Sequence, residues 1–212
     1  LHSLRRRQRQ MCIRDRYNLG GRMDKIDKRI ISILEEKPSA TLTEIGKIIG
    51  ISHVAVRKRV QRLISSGFMK MVPAFNIDQL KYKIAVILAE VGDPKHLNEL
   101  FSIFKDCPRM MFLSTSIGQY NVFSMMYAED DDTLESVISF CSFRTHKLIR
   151  KSEVIVLCVS EVPKYIPLNI ADQRSLKVAP CGVRCDKCTR YKDNKCRGCP
   201  ATIYYREATF GH

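Results

Sequence analysis

Five cysteines fall between residues 181 and 199, in CGVRCDKCTRYKDNKCRGC, spaced Cys181-x3-Cys185-x2-Cys188-x7-Cys196-x2-Cys199. Each C-x2-C pair can set two thiolates on one ion through a tight turn, and the seven residues between the pairs suffice for a short hairpin. Four thiolates at about 2.3 Å match tetrahedral zinc, the first expectation for this tail. The run Cys181, Cys185, Cys188 also suits a [4Fe-4S] cluster, with Cys196 or Cys199 as the fourth ligand. With either metal one of the five thiols is spare. Gly182 and Gly198 fit the bends such knuckles need, and Arg184, Lys187, Arg190 and Arg197 are expected to moderate the site's negative charge. A tail of about 32 residues buries too little apolar surface to fold unaided, so metal binding would supply its folding energy. Cys107, Cys141 and Cys158 stand singly in apolar segments and read as small hydrophobes.

The rest of the chain must carry this tail. With 212 residues, 45% of them hydrophobic, it can form one large domain or two to three small ones. No apolar run approaches the ~20 residues of a membrane span, and the amino terminus lacks an apolar signal core. A soluble, cytoplasmic protein with no membrane partner is expected, and in a reducing compartment clustered cysteines are metal ligands before they are disulfides. The net charge of +14 is unevenly spread: residues 1–22 hold +6, 23–76 hold +5, 77–171 hold −2 and 172–212 hold +5. A polyanion-binding module joined to a neutral partner module would show this asymmetry. The leader, with LRRRQRQMCIRDR and Cys12, reads as sequencing-adaptor read-through or a disordered basic arm, and the natural protein is expected to start at Met23.

Residues 23–76 carry three helical patterns. Ile26, Ile30, Ile33 and Leu34 share one face, and Pro38 ends that helix. Thr41 with Glu44 spells a capping box before Ile45, Ile48 and Ile49. After a Gly50-Ile51 turn, Ser52 can cap a third helix with Val56, Val60, Leu63 and Ile64 inward and Gly67 as its left-handed end. From Lys47 through Lys70 there is no acidic residue, and the outer face holds His53, Arg57, Lys58, Gln61 and Arg62. A short helix, a tight turn and a capped basic helix predict a helix-turn-helix reading double-stranded DNA. Ser52, His53 and Ala55 lie at the end that meets base edges, while Arg57, Lys58 and Arg62 would take phosphates and Gln61 lies among them. FMKMVPAF then suits a small wing or a strand leading out.

Residues 77–166 read as strand, helix, two strands about Gly118-Gln119-Tyr120-Asn121, a helix over DDTLESVISFCSF starting at an acidic cluster, and a last strand in KSEVIVLCVSEV. The β-α-β-β-α-β order is that of a ferredoxin-like sandwich, whose open sheet face is commonly covered by a second copy. Met110, Met111, Met125 and Met126 are expected in the core on its two central strands. The fold class is thus α+β: a winged helix-turn-helix at 23–76, the sandwich at 77–166, a linker at 167–179 and a cysteine-rich metal knuckle at 180–212.

DKIDKRIISILEEKPSATLTEIGKIIGISHVAVRKRVQRLISSGFMK is similar to the DNA-binding domain of the Lrp/AsnC family of prokaryotic transcription regulators, with Val56, Arg59, Val60, Arg62, Leu63 and Gly67 at matching positions. The resemblance extends to about Pro163 and implies that the sandwich dimerises and receives an amino acid or similar small effector. The family's Gly-x-Tyr/Phe-Asp turn is matched by Gly118 and Tyr120, with Asn121 where the Asp would stand, so an effector's ammonium group loses its carboxylate partner. It also implies a homodimer or higher even oligomer on a roughly palindromic site. Proteins similar to this family catalyse sirohaem decarboxylation, the enzyme alternative, but only His96 and His146 are available to it. The tail resembles uncharacterised prokaryotic cysteine-rich domains, and its first three cysteines also spell the pattern of radical S-adenosylmethionine enzymes, without the barrel that chemistry needs. An iron-sulfur redox sensor and a partner-docking knuckle are its other readings.

Overall fold

In a computed structural model the described residues are 23–158, 161–170 and 174–207. The basic leader and Cys12 lie outside them. Asp24 accepts the N–H of Asp27 while Asp27 accepts that of Asp24, and this reciprocal box starts α1, Lys25–Glu36. Thr41 and Glu44 make the expected box at α2, Leu42–Ile49. The Ser52 hydroxyl accepts the Ala55 N–H at the head of α3, His53–Ser65. Gly50 and Gly67 follow α2 and α3 at φ +81° and +74°, where a side chain would be strained. Ile30, Ile33, Ile45 and Val56 form the core of this unit, with Ile26, Leu34, Ile49 and Val60 packed around it. Ile48 and Ile64, expected inward, are instead 58% and 44% exposed. Each sits about 100° around its helix from a covered neighbour, beyond the face the other helices reach.

Chain contacts divide between Met71 and Val72. Of the two expectations for FMKMVPAF, the strand leading out is realised. β1, Ala74–Asn76, pairs antiparallel with β6, Tyr165–Pro167, through Phe75 opposite Ile166. The segment leaving the helices is thereby paired with the segment leaving the sandwich. A short helix α4, Ile77–Leu80, capped by Asn76, follows β1.

The second unit contains β2 (Lys83–Val91), α5 (Pro94–Phe104), β3 (Met110–Thr115), β4 (Val122–Ala128), α6 (Asp131–Ser139), α7 (Ser142–Thr145) and β5 (Ile149–Leu157). The sheet order is β3-β4-β2-β5, every pairing antiparallel, as the β-α-β-β-α-β sequence requires. Alternation along β2 sends Ala85, Ile87, Ala89 and Val91 into one core with Leu100, Phe104, Leu134 and Val137. Phe104 meets Phe143 edge-on at 5.0 Å between ring centroids. Two expectations need correction. β3 is an edge strand, which leaves Met110 and Met111 half-buried, and Met125 points to the opposite sheet face, so only Met126 of the four methionines is fully buried. The helix expected through Phe143 stops at Ser139, where the N–H groups of Phe140 and Cys141 both turn to the Ser136 carbonyl, and α7 restarts after Cys141.

The opposite sheet face carries Phe112, Met125, Val86 and Ile155 in one row, since register pairs Phe112 with Met125, Met125 with Val86, and Val86 with Ile155. Phe112 and Ile155 are exposed.

Candidate functional site

On α3 the two sides separate cleanly. Val56 and Leu63 are buried, whereas Ser52, His53, Arg57, Lys58, Gln61 and Arg62 are exposed and Ala55 is half-buried. The turn in front of α3 depends on Gly46, which its type alone does not mark out. A β-carbon there would stand 2.6 Å from the Ile51 carbonyl oxygen, a backbone atom, and the Ile51 N–H already donates to Gly46 O at 3.0 Å. The signal was a glycine inside a helix, which costs helix stability unless close approach requires it.

Two arginines of α3 are tied to α1. Asp27 is fully buried and receives Arg59 Nη1 at 2.9 Å and Arg62 Nη2 at 2.5 Å, while Arg59 also reaches Asp24 at 2.7 Å. Burial opposes the Asp27 charge, but the Asp24 N–H and the two guanidinium groups outweigh it and hold the carboxyl below the usual range. The Arg59 guanidinium likewise lowers Asp24 to about 2. Arg62, expected on the phosphate-facing surface, therefore anchors the helix while its side chain stays 55% exposed. Among the described residues, Arg57, Lys58 and Gln61 make no side-chain hydrogen bond or ion pair, leaving their polar groups available. The neutral and basic faces thus meet on a single helix.

At the β3–β4 turn, Gly118 and Gln119 are exposed and Tyr120 is half-buried. Asn121 is committed inward: its Oδ1 accepts the Val91 N–H at 2.8 Å and its Nδ2 donates to the Val91 carbonyl at 2.7 Å. An Asp could make only the first of these bonds. The two sandwich histidines occupy separate settings, His96 exposed on α5 and His146 edge-on against Phe104 at 5.7 Å.

The tail is joined to the sandwich by side chains from both. Arg109 and Glu129, both buried, pair at 2.5 Å, and Arg109 Nη2 donates to Gly198 O at 2.7 Å. Burial opposes the Arg109 charge, but Glu129 outweighs it and keeps the guanidinium above its ordinary range. Tyr205 donates to the other Glu129 oxygen at 2.6 Å. From α6, Ser136 Oγ donates to Lys195 O, and Thr133 Oγ1 accepts the Arg197 N–H. Arg190 pairs with Glu135 and Arg197 with Asp130. These arginines, expected to offset thiolate charge, hold the tail to the acidic end of α6, and Arg184 pairs with Asp186. Ala179, at the end of the expected linker, is buried and accepts the Gly182 N–H.

All five tail cysteines line one cavity of about 600 Å³, counting its open mouth, and so do Cys107 and Cys141. Cys107 lies between α5 and β3, and Cys141 between α6 and α7. Along the sequence both stand singly in apolar segments, and lone cysteines carry no spacing that reveals this convergence. Gly182 and Gly198 adopt the left-handed conformation at φ +84° and +83°. The N–H of Gly198 points at Cys196 Sγ and that of Cys199 at Cys185 Sγ, each at 3.4 Å. Burial pushes the Cys107 thiol up to about 11 and Cys199 to about 12, and raises Cys141 and Cys185. Among the described residues, no group of three or more His, Cys, Asp or Glu side chains is arranged to hold a metal ion.

An AsnC-type helix-turn-helix domain matches residues 23–64. The HTH-type transcriptional regulator LrpA of Pyrococcus abyssi is 32% identical over 118 residues, 55% of this chain and 84% of that protein. Ptr1 of Methanocaldococcus jannaschii, also an HTH-type transcriptional regulator, is 27% identical over 128 residues, 60% of this chain and 84% of its own length. Among solved structures, E. coli AsnC aligns with a TM-score of 0.59 at 17% identity, covering 67% of this chain and 96% of AsnC. A Neisseria meningitidis transcriptional regulator in complex with L-Met aligns with a TM-score of 0.56 at 16% identity, covering 66% and 92%. These two structures show a shared fold. They are covered almost whole, while about a third of this chain lies outside each match.

Proposed function

This chain belongs to the Lrp/AsnC family of DNA-binding transcription regulators, and from that premise we propose that it binds double-stranded DNA through α3 as a homodimer or higher even oligomer. The observation that carries this reading is the exposed, acid-free face of α3, where His53, Arg57, Lys58 and Gln61 stand out from a helix whose other side is core. His53 and the Ser52-capped first turn would meet base edges, with Arg57 and Lys58 on phosphates. The apolar row Phe112–Met125–Val86–Ile155 is the surface we assign to pairing with a second copy, because an open sheet face of that composition favours cover. Among the described residues no helix is long and apolar enough to cross a membrane.

Selection from a random duplex pool tests the proposal. Roughly palindromic sites with half-sites about one helical turn apart are expected, and binding should weaken steeply with salt. No enrichment, or a flat salt dependence, would refute it.

For the hairpin turn we propose a structural role before an effector role. Asn121 spends its amide on Val91 and offers no carboxylate to an ammonium group. Regulation then enters through the tail, four of whose five cysteines we propose as ligands of one metal centre. Tetrahedral zinc is the first candidate and a [4Fe-4S] cluster the alternative. The two N–H groups aimed at Cys185 and Cys196 support metal-bound sulfur, since such bonds stabilise thiolate charge. Elemental analysis and a visible spectrum of anaerobically purified protein separate the two: zinc without colour, or iron with sulfide and broad absorption. Protein purified in this way without any metal would end this part of the reading.

A further inference from the structure

We propose that Cys107 and Cys141 are ligands in the same centre as the tail cysteines, making it a polynuclear metal–thiolate centre built jointly by the sandwich and the tail. The inference rests on the reading of the tail as a metal module and goes beyond it in nuclearity and in ligand source.

Two observations carry it. The cavity is walled by seven thiols, from Cys107, Cys141 and the five tail cysteines, and four saturate a tetrahedral ion. A mononuclear site would leave three thiols facing the same space. Second, the two sandwich cysteines are placed there by features of the fold. Cys107 ends the turn after α5, its N–H donating to Phe104 O and its carbonyl accepting the Met110 N–H. Cys141 stands where the predicted long helix breaks, so that α6 and α7 present it as the residue between them. Cys181 packs against the sandwich core that contains Cys107.

The docking contacts serve the same end. Arg109, two residues after Cys107, holds Gly198, which sits between Cys196 and Cys199. Ser136, on the last turn before Cys141, holds Lys195, the residue before Cys196. Each sandwich cysteine therefore has a neighbour in sequence that anchors the second C-x2-C pair. Each thiol that binds metal releases its proton, and the metal cations compensate thiolate charge that an apolar cavity would otherwise oppose. Occupancy of the centre would then bear directly on the α5–β3 and α6–α7 connections of the sandwich.

The class of ligand is a set of thiophilic metal atoms, either two or more zinc ions sharing thiolates or iron with bridging sulfide. Metal and sulfide content per chain distinguishes these sources. The test compares full-length protein purified anaerobically with Cys107→Ser/Cys141→Ser and with Cys185→Ser/Cys196→Ser, checking each fold by far-ultraviolet circular dichroism. The expected result is two or more metal atoms per chain in the wild type, a lower content or altered spectrum in Cys107→Ser/Cys141→Ser, and loss of most metal in Cys185→Ser/Cys196→Ser. Unchanged metal content and spectrum in a folded Cys107→Ser/Cys141→Ser protein overturns the joint centre while leaving the tail site standing. Metal retained in full by Cys185→Ser/Cys196→Ser overturns the tail reading itself. Should the sandwich variant not fold, cadmium substitution of the wild type decides. Charge-transfer absorption corresponding to more than five bound thiolates per chain, more than the tail alone can supply, supports the proposal, and five or fewer defeats it.

Discussion

Replacing the arginines of α3 one at a time separates residues that hold the helix from residues that meet DNA. Asp27 is fully buried and Arg62 reaches it at 2.5 Å, yet Asp27 would keep Arg59 at 2.9 Å and the Asp24 N–H at 3.0 Å if Arg62 were removed. A hydrogen bond between charged groups contributes roughly 1.5–3 kcal/mol, and the exposure of Arg62 screens it. Arg62→Ala should therefore cost about 1–2 kcal/mol of stability in urea unfolding. Asp27→Asn removes the charge from both pairings, while Arg59 keeps Asp24 at 2.7 Å, and should cost about 2–3 kcal/mol. Arg57 and Lys58 have no partner among the described residues, so Arg57→Ala and Lys58→Ala should each change stability by less than about 0.5 kcal/mol. Their effect belongs in the salt dependence of binding: fluorescence anisotropy with duplex DNA at several salt concentrations should show each lowering the slope of log K against log [salt] by about 0.9. The reasoning is refuted if Arg57→Ala and Lys58→Ala leave the slope unchanged while Arg62→Ala lowers it without loss of stability.

Gly46→Ala should destabilise by about 1–3 kcal/mol through overpacking, because the new methyl meets the Ile51 carbonyl at 2.6 Å. Alanine's better helix propensity, worth about 1 kcal/mol, would dominate if the turn had room, and a stabilised variant would show that it does. Asn121→Asp exchanges a donor to the Val91 carbonyl for a carboxylate oxygen and should cost about 1–2 kcal/mol, measured by denaturant unfolding. An unaffected midpoint would mean that the amide pairing does not hold the turn. Acid should weaken the helical unit through Asp24 and Asp27. Both carboxyls are held below their ordinary value, so their contribution is present above the usual carboxylate range near pH 4 and fades as pH falls toward about 2, where Asp24 titrates. Circular dichroism of the wild type and Asp27→Asn follows this, and an equally steep acid limb in both would exclude Asp27 as a contributor.

Much of the architecture was legible because its causes are local. The capping box of Thr41 with Glu44, the Ser52 cap, the glycine ends of α2 and α3 and the apolar period of each helix depend on residues three or four apart. Strand alternation and the order of elements likewise led to the antiparallel sheet that is observed. Periodicity was weakest at its margins, where Ile48 and Ile64 carry the right residue type on the wrong side of the covered arc. Spacing brought the two C-x2-C pairs forward as a unit, and composition placed the exposed basic face on α3.

Only the tertiary path of the chain decided which of these groups meet. Arg62 looks like its neighbours on α3 until Asp27 of α1 is found beneath it, 35 residues away in sequence. Asn121 looks like a turn residue until Val91, 30 residues earlier, takes both ends of its amide. Cys107 and Cys141 have no periodic or spaced partner at all, and they join the tail because Arg109 and Ser136 anchor it across 89 and 59 residues. The helices, the strands, the basic face and the thiol-rich tail follow from local sequence, since nearest-neighbour sterics and burial periodicity specify those. Whether a charge anchors a helix or remains free for DNA, and whether a lone thiol is packing or part of a seven-thiol cavity, depends on which distant surfaces the fold brings into contact, because hydrogen bonding and ligation act over a few ångströms in space whatever the separation along the chain.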